Sequence, residues 1–119
     1  SLRHLFLAGE PLDEPTHRWL HDALGKPVID HYWQTETGWP ILSLAPGVEA
    51  ARVKYGSPGL PVFGYDLKLL READATEAGP NEKGVLTITP PLPTSTIEAP
   101  LRRGGWSAPG VSGCYIAVL

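Results

Sequence analysis

The chain has 119 residues, of which 42% are hydrophobic and 19% charged, with a formal net charge of −3. That balance describes one globular domain or less and excludes wholesale disorder. A net negative chain offers no broad basic footprint for nucleic acid, and no apolar run approaches the roughly 20 residues that a membrane-spanning helix needs.

Ser1-Leu2-Arg3-His4 has neither the form of a signal peptide nor that of a natural start. Residues 2–8 are mostly apolar and stop at Gly9, which predicts a short buried strand. Asp13 is placed to cap a helix that begins near Glu14 and Pro15. Trp19, Leu20, Ala23 and Leu24 then share one face and are expected in the core, with Gly25 and Pro27 ending the helix. Val28 and Ile29 open a second strand. Strand, helix and strand within about 30 residues predict a βαβ unit with parallel strands. In such sheets ligands gather beyond the carboxyl ends of the strands, and both strands here run into polar motifs.

Residues 42–54 have no clear period and read as a loop, with a short strand near Ile41–Leu44. Gly56, Pro58, Gly59, Pro61 and Gly64 punctuate the next stretch. Tyr65–Leu70 and Gly84–Thr89 alternate as strands do, with a polar hairpin loop at 72–83. Pro90-Pro91-Leu92-Pro93 should be extended. Residues 94–113 are rich in Gly, Pro, Ser and Thr, and 115–119 allow a last short strand. The fold class expected is α/β: a partial parallel sheet with a βαβ unit over residues 1–55, a small β-rich subdomain over 56–93, and an irregular tail over 94–119.

The strongest chemical signal is Tyr32-Trp33-Gln34-Thr35-Glu36-Thr37-Gly38-Trp39. It resembles the Thr-Glu core motif of the AMP-forming acyl-CoA synthetases, and Asp30-His31-Tyr32-Trp33-Gln34-Thr35-Glu36-Thr37-Gly38 is similar to the form found in their short-chain, acetyl- and propionyl-CoA branch. Gly9-Glu10-Pro11, about 20 residues upstream, resembles that branch's adenine-side loop. Gly56-Ser57-Pro58-Gly59-Leu60-Pro61 resembles the segment that follows. Gly84-Val85-Leu86 with Pro90-Pro91-Leu92-Pro93 looks like the β-subdomain after it. The resemblance covers about residues 1–93, and its wording is nearest to propionyl-CoA synthetases.

The resemblance implies a function and a site. The activity is the joining of propionate or acetate to coenzyme A with conversion of ATP to AMP and pyrophosphate. Thr35 and Glu36 are the implied catalytic residues, Glu36 facing Mg²⁺ and Thr35 the α-phosphate. Gly9, Glu10, Pro11, Asp30, His31, Tyr32 and Gln34, with Thr35, line the ATP/AMP site, and Trp33 closes the acyl pocket. The chemistry agrees independently: charge grows on the α-phosphate during adenylation, and a hard divalent cation with oxygen ligands offsets it. Partners are then a small carboxylic acid and a nucleotide, with neither nucleic acid nor membrane. Cys114 is the single cysteine, which excludes an internal disulfide and fits a reducing, cytoplasmic setting.

Each motif has a plainer reading. Thr-Glu-Thr-Gly alone is a capped turn, Gly-Glu-Pro alone is a turn, and Trp33 alone is a core residue; the ordered set favours the synthetase. His17 and His21 stand i, i+4, but no Glu follows either as in zinc proteases, so a metal site is disfavoured. Gly56–Gly64 lacks the Gly-Lys-Ser/Thr ending of a phosphate loop. Cys114 has no nearby base and reads as a plain thiol. The family's Gly- and Ser/Thr-rich phosphate loop, its ribose-binding Asp and its C-terminal catalytic Lys have no counterpart in the sequence. The 119 residues alone are therefore expected to be inactive, with exposed strands open to homo-oligomer formation. The competing reading is a non-catalytic fold remnant or interaction module.

Overall fold

A computed structural model describes residues 1–48, 53–89, 114 and 115; of Glu36, Cys114 and Tyr115 it describes the backbone alone. The chain forms two compact units, Ser1–Phe63 and Gly64–Leu119.

In the first unit, strand β1 (Leu5–Leu7) pairs with β2 (Val28–Asp30). The pairing is parallel, with Leu5 opposite Val28, Phe6 opposite Ile29 and Leu7 opposite Asp30. Helix α1 (Glu14–Leu24) connects them, so the expected βαβ unit is present. Local chemistry fixes both helix ends. The Asp13 carboxylate accepts the Thr16 N–H at 3.0 Å, and Gly25, in the left-handed region, donates its N–H to the His21 carbonyl. The Thr16 N–H, then its hydroxyl, hold the Asp13 carboxyl below its ordinary range. A depressed carboxyl contributes its stability above its unfolded value and loses it as pH falls through the folded one. The cap is thus intact at neutral pH.

The helix buries a different face from the one expected. Trp19 is 67% exposed and Leu24 39% exposed, while His17 is 1% exposed. The reason is polar satisfaction: His17 Nε2 donates to the Val28 carbonyl at 2.8 Å, and Nδ1 accepts the Gly56 N–H at 3.4 Å. Those partners assign the Nε2–H tautomer. With both ring nitrogens used, an imidazole enters the core at low cost and is not free to bind metal. Tyr55 packs edge-on to His17 with ring centroids 4.9 Å apart, and the Arg18 guanidinium lies 4.5 Å from the Tyr55 ring centroid.

Beyond β2 the chain passes a 3₁₀ turn (Thr35–Thr37) into β3 (Leu42–Ser43), which pairs antiparallel with β4 (Leu60–Pro61). Tyr32 joins this edge by donating its N–H to Leu42 at 2.9 Å and accepting from Ile41 at 2.9 Å. Val28, Ile29, Ile41, Leu42 and Leu44 form the buried core of this unit. Val28 and Ile29 point to opposite faces and both are buried, so β2 reads as a continuous apolar run, as a covered parallel strand does.

Sequence composition changes at Gly56, yet the compact units part at Phe63. Residues 56–63 return to the first unit through His17, β3 and the Val62 N–H to Ile41 carbonyl bond of 2.9 Å.

Gly59 makes that return possible. Its φ is +96°, and a Cβ there would stand 2.8 Å from the Ser43 carbonyl and 2.9 Å from Leu44 Cδ2. Gly59→Ala is expected to cost about 2–4 kcal/mol, from left-handed strain plus overpacking. Gly9, at φ +104° with nothing within 4 Å, incurs only the strain, about 1–2 kcal/mol. Denaturant midpoints of the two variants measure the difference.

In the second unit, β5 (Asp66–Leu70), β6 (Val85–Thr89) and β7 (Cys114–Tyr115) form an antiparallel sheet in that order. β6 is central and buried from Val85 to Thr87 on both faces, with Ile88 2% exposed. The 71–84 connection is polar, as expected, and ordered. Glu82 Oε2 accepts from Arg71 Nε and Nη2 at 3.0 and 2.8 Å, and from the Gly79 N–H at 2.7 Å. A short final strand is present at Cys114–Tyr115. The Pro90–Pro93 segment and the rest of the expected tail lie outside the described residues. No helix among the described residues is long and apolar enough to cross a membrane.

Candidate functional site

Parallel pairing of β1 and β2 means that both strands end on the same edge of the sheet. From the end of β1 leaves Ala8-Gly9-Glu10-Pro11, all four residues exposed. From the end of β2 leaves His31 and the Trp33–Gly38 turn. Hydrogen bonds hold the two exits together: the His31 N–H donates to the Leu7 carbonyl at 3.0 Å, and Asp30 Oδ2 accepts the Leu12 N–H at 3.2 Å. The His31 ring stands 5.9 Å from that of Phe6.

The turn is held from within. The Gln34 N–H donates to Thr37 Oγ1 at 3.0 Å, and the Thr37 N–H returns to the Gln34 carbonyl at 3.0 Å. The Thr37 hydroxyl lies 2.8 Å from the Gln34 carbonyl and 2.9 Å from that of Trp39. Its single proton donates to one of them at a time. Gln34 Nε2 donates to the Tyr32 hydroxyl at 2.7 Å. Gly38 closes the turn at φ +65°. Thr37 is fully buried, whereas Thr35 is exposed and Trp33 is 46% exposed. Buried polar groups thus fix the backbone, and the residues flanking Gln34 face outward.

Of the residues singled out from sequence, Gly9, Glu10 and Pro11 lie on the first exit, and Asp30, His31, Tyr32, Trp33, Gln34 and Thr35 lie on the second or at its base. The Glu36 backbone lies in the same turn; its side chain is outside the described part. Thr37 and Leu12 carry the internal bonds and were not singled out. The signal for Thr37 was available: a hydroxyl residue three places after Gln34 and just before Gly38 is a turn-pinning pattern.

An exposed hydroxyl on a fixed turn suits a phosphate oxygen. Among the described residues no group of three or more His, Cys, Asp and Glu is placed to hold a metal ion.

Two parallel strands whose carboxyl ends carry a short exposed loop and a pinned polar turn form an edge of the kind at which ligands gather in α/β sheets. The family model described as AMP-binding enzyme matches residues 1–96, and the chain belongs to that family. Over 98 residues it is 53% identical to the propionate–CoA ligase of Salmonella typhimurium strain LT2, covering 82% of this chain and 16% of that protein. The crystal structure of Brucella canis acyl-CoA synthetase superimposes with a TM-score of 0.63 at 45% identity, over 73% of this chain and 16% of that one. An anthranilate CoA ligase solved in complex with anthranoyl-AMP gives a TM-score of 0.65 at 28% identity, over 76% and 17%. The chain thus spans about 16% of the length of the propionate–CoA ligase it matches.

Proposed function

We propose that this chain supplies the adenine- and acyl-facing segment of a cytoplasmic AMP-forming short-chain acyl-CoA ligase, with propionate as the preferred acid and acetate as the near alternative. The carrying observation is the pinned Trp33–Thr35 turn, which leaves the sheet edge shared with Gly9-Glu10-Pro11, inside a segment 53% identical to a propionate–CoA ligase. In the reaction, a carboxylate oxygen of the acid attacks the α-phosphorus of ATP and pyrophosphate leaves. The thiol of coenzyme A then takes the acyl group, and AMP leaves.

Each residue has a part in this reading. Gly9-Glu10-Pro11 forms the wall beside the adenine, with Asp30, His31, Tyr32 and Gln34 building the adjoining floor. Thr35 donates its hydroxyl to an α-phosphate oxygen. Glu36 would hold Mg²⁺, which would supply charge neutralisation at the phosphates. Trp33 bounds the acyl tail.

The test is a chimera. The Salmonella propionate–CoA ligase, with its matching segment exchanged for residues 1–96 of this chain, is expected to catalyse propionate-dependent ATP–pyrophosphate exchange. The 119-residue polypeptide alone is expected to give none, because adenylation needs the phosphate loop and lysine positioned together with this turn. A chimera that melts like its parent yet lacks exchange overturns the proposal. Exchange by the isolated polypeptide overturns the second expectation.

A further inference from the structure

His17 is buried, takes no part in the proposed chemistry, and joins three pieces of backbone. Its own N–H closes the first turn of α1 on the Asp13 carbonyl at 2.9 Å. Its Nε2–H reaches the Val28 carbonyl at 2.8 Å, at the start of β2 and so at the end of that strand away from the site. Its Nδ1 takes the Gly56 N–H at 3.4 Å. There the chain lies close on α1: a Cβ on Gly56 would stand 3.2 Å from the Glu14 nitrogen. The Tyr55 ring beside it is edge-on to both His17 and His21, with centroids 4.9 and 5.8 Å apart, and lies against the Arg18 guanidinium. From this clasp the chain runs into β4, which sets Pro61 opposite Leu42 of β3. Ile41 and Leu42 in turn bond the main-chain groups of Tyr32, the base from which the Trp33–Gly38 turn leaves.

We infer that His17 is a positioning residue for adenylation: its Nδ1 holds the Tyr55–Gly56 clasp on α1, and through β4 and β3 the clasp fixes where the Trp33–Thr35 turn stands, with no contact between the imidazole and any reactant. This rests on the proposed ligase reading for what the turn does. The two ring nitrogens divide the work. The shorter bond, to Val28, aims the ring and assigns its tautomer; the longer one, to Gly56, is the bond that reaches the clasp. A small shift at the far end is enough to matter, since misplacing a positioned group by about 1 Å costs up to about 10²-fold in rate.

Two substitutions separate the nitrogens. His17→Gln places a donor where Nε2 stands, so it keeps the Val28 bond and leaves Gly56 without its acceptor. His17→Asn places a carbonyl oxygen where Nδ1 stands, so it keeps the Gly56 bond and loses the Val28 one. In the 119-residue chain, hydrogen exchange at the Gly56 amide is expected to quicken about fivefold in His17→Gln and to stay within about twofold in His17→Asn. In the chimera, His17→Gln is expected to lower kcat for propionate adenylation about tenfold, with KM for ATP within about twofold. His17→Asn is expected to keep kcat within about twofold of the parent, although it loses the shorter bond and melts lower. A merely structural role gives the opposite order, with kcat following melting temperature, and that order overturns the inference. So do equal losses of kcat in the two variants, or a parental kcat in His17→Gln. A Gly56 amide that exchanges no faster in His17→Gln overturns the inference alone, since that arm does not depend on the ligase reading. If neither variant folds, Tyr55→Ala decides, because it loosens the clasp from the other side and leaves His17 in place: a kcat about tenfold lower at unchanged KM supports positioning, and a parental kcat overturns it. A folded but inert parent chimera sinks the ligase reading and, with it, this inference.

Discussion

Glu36→Gln in the chimera is expected to lower kcat for propionate adenylation by about 10²–10³, the range seen when one electrostatic stabiliser of a transition state is removed. The substitution keeps the size and shape of the side chain but removes the negative charge that the proposed reading assigns to the cation. Because the interaction strengthens as charge develops on the α-phosphate, kcat and kcat/KM should fall together, with little change in KM for the acid. The turn itself should survive, since the Gln34 N–H to Thr37 Oγ1 bond does not involve residue 36. A kcat within about threefold of the parent removes Glu36 from the metal-facing role.

Trp33→Gly should change selectivity rather than stability. The indole is 46% exposed in this chain, so its loss leaves no large core cavity, and the denaturant midpoint of the 119-residue polypeptide should move far less than the 3–5 kcal/mol typical of a deleted buried tryptophan, roughly. In the chimera the acyl pocket should lengthen. Each added methylene in a hydrophobic pocket contributes about 1–3 kcal/mol. The ratio of kcat/KM for butyrate over propionate should therefore rise at least about tenfold, with propionate use falling. A folded variant that keeps the parental chain-length profile shows that Trp33 does not bound the acyl tail.

Much of the first unit was legible because its signals are local. Asp13, Pro15, Gly25 and Pro27 mark the helix by capping chemistry that depends on a few neighbouring residues. The brevity of the apolar runs at 2–8 and 28–29 gave two strands, and the intervening helix made them parallel. Which helix face enters the core was not legible. Trp19 outweighs His17 on any hydrophobicity scale, yet His17 is buried because Val28 and Gly56 supply its two hydrogen-bond partners. Gly56 lies 39 residues away in sequence, and no periodicity reports a contact at that range. The same holds for Asp30 and Leu12. The motif around Thr35 was recognisable as a string of residues, whereas the division of labour within it, Thr37 holding and Thr35 presented, emerges only from the hydrogen bonds.

The pairing of Leu7 with Asp30 has a consequence for how the segment tolerates change in length. Strand side chains alternate faces, so a slip of one residue between β1 and β2 turns the whole strand over. With strands of three residues, such a slip either sets Pro27 opposite Leu5 or carries Asp30 into the place of Ile29, and in both cases it displaces the Val28 carbonyl from the buried His17 ring. Asp30 would also be carried away from Leu12, and the loop and the turn would leave the sheet out of step. An insertion or deletion between Gly25 and Pro27 therefore disturbs the core and the two exits together.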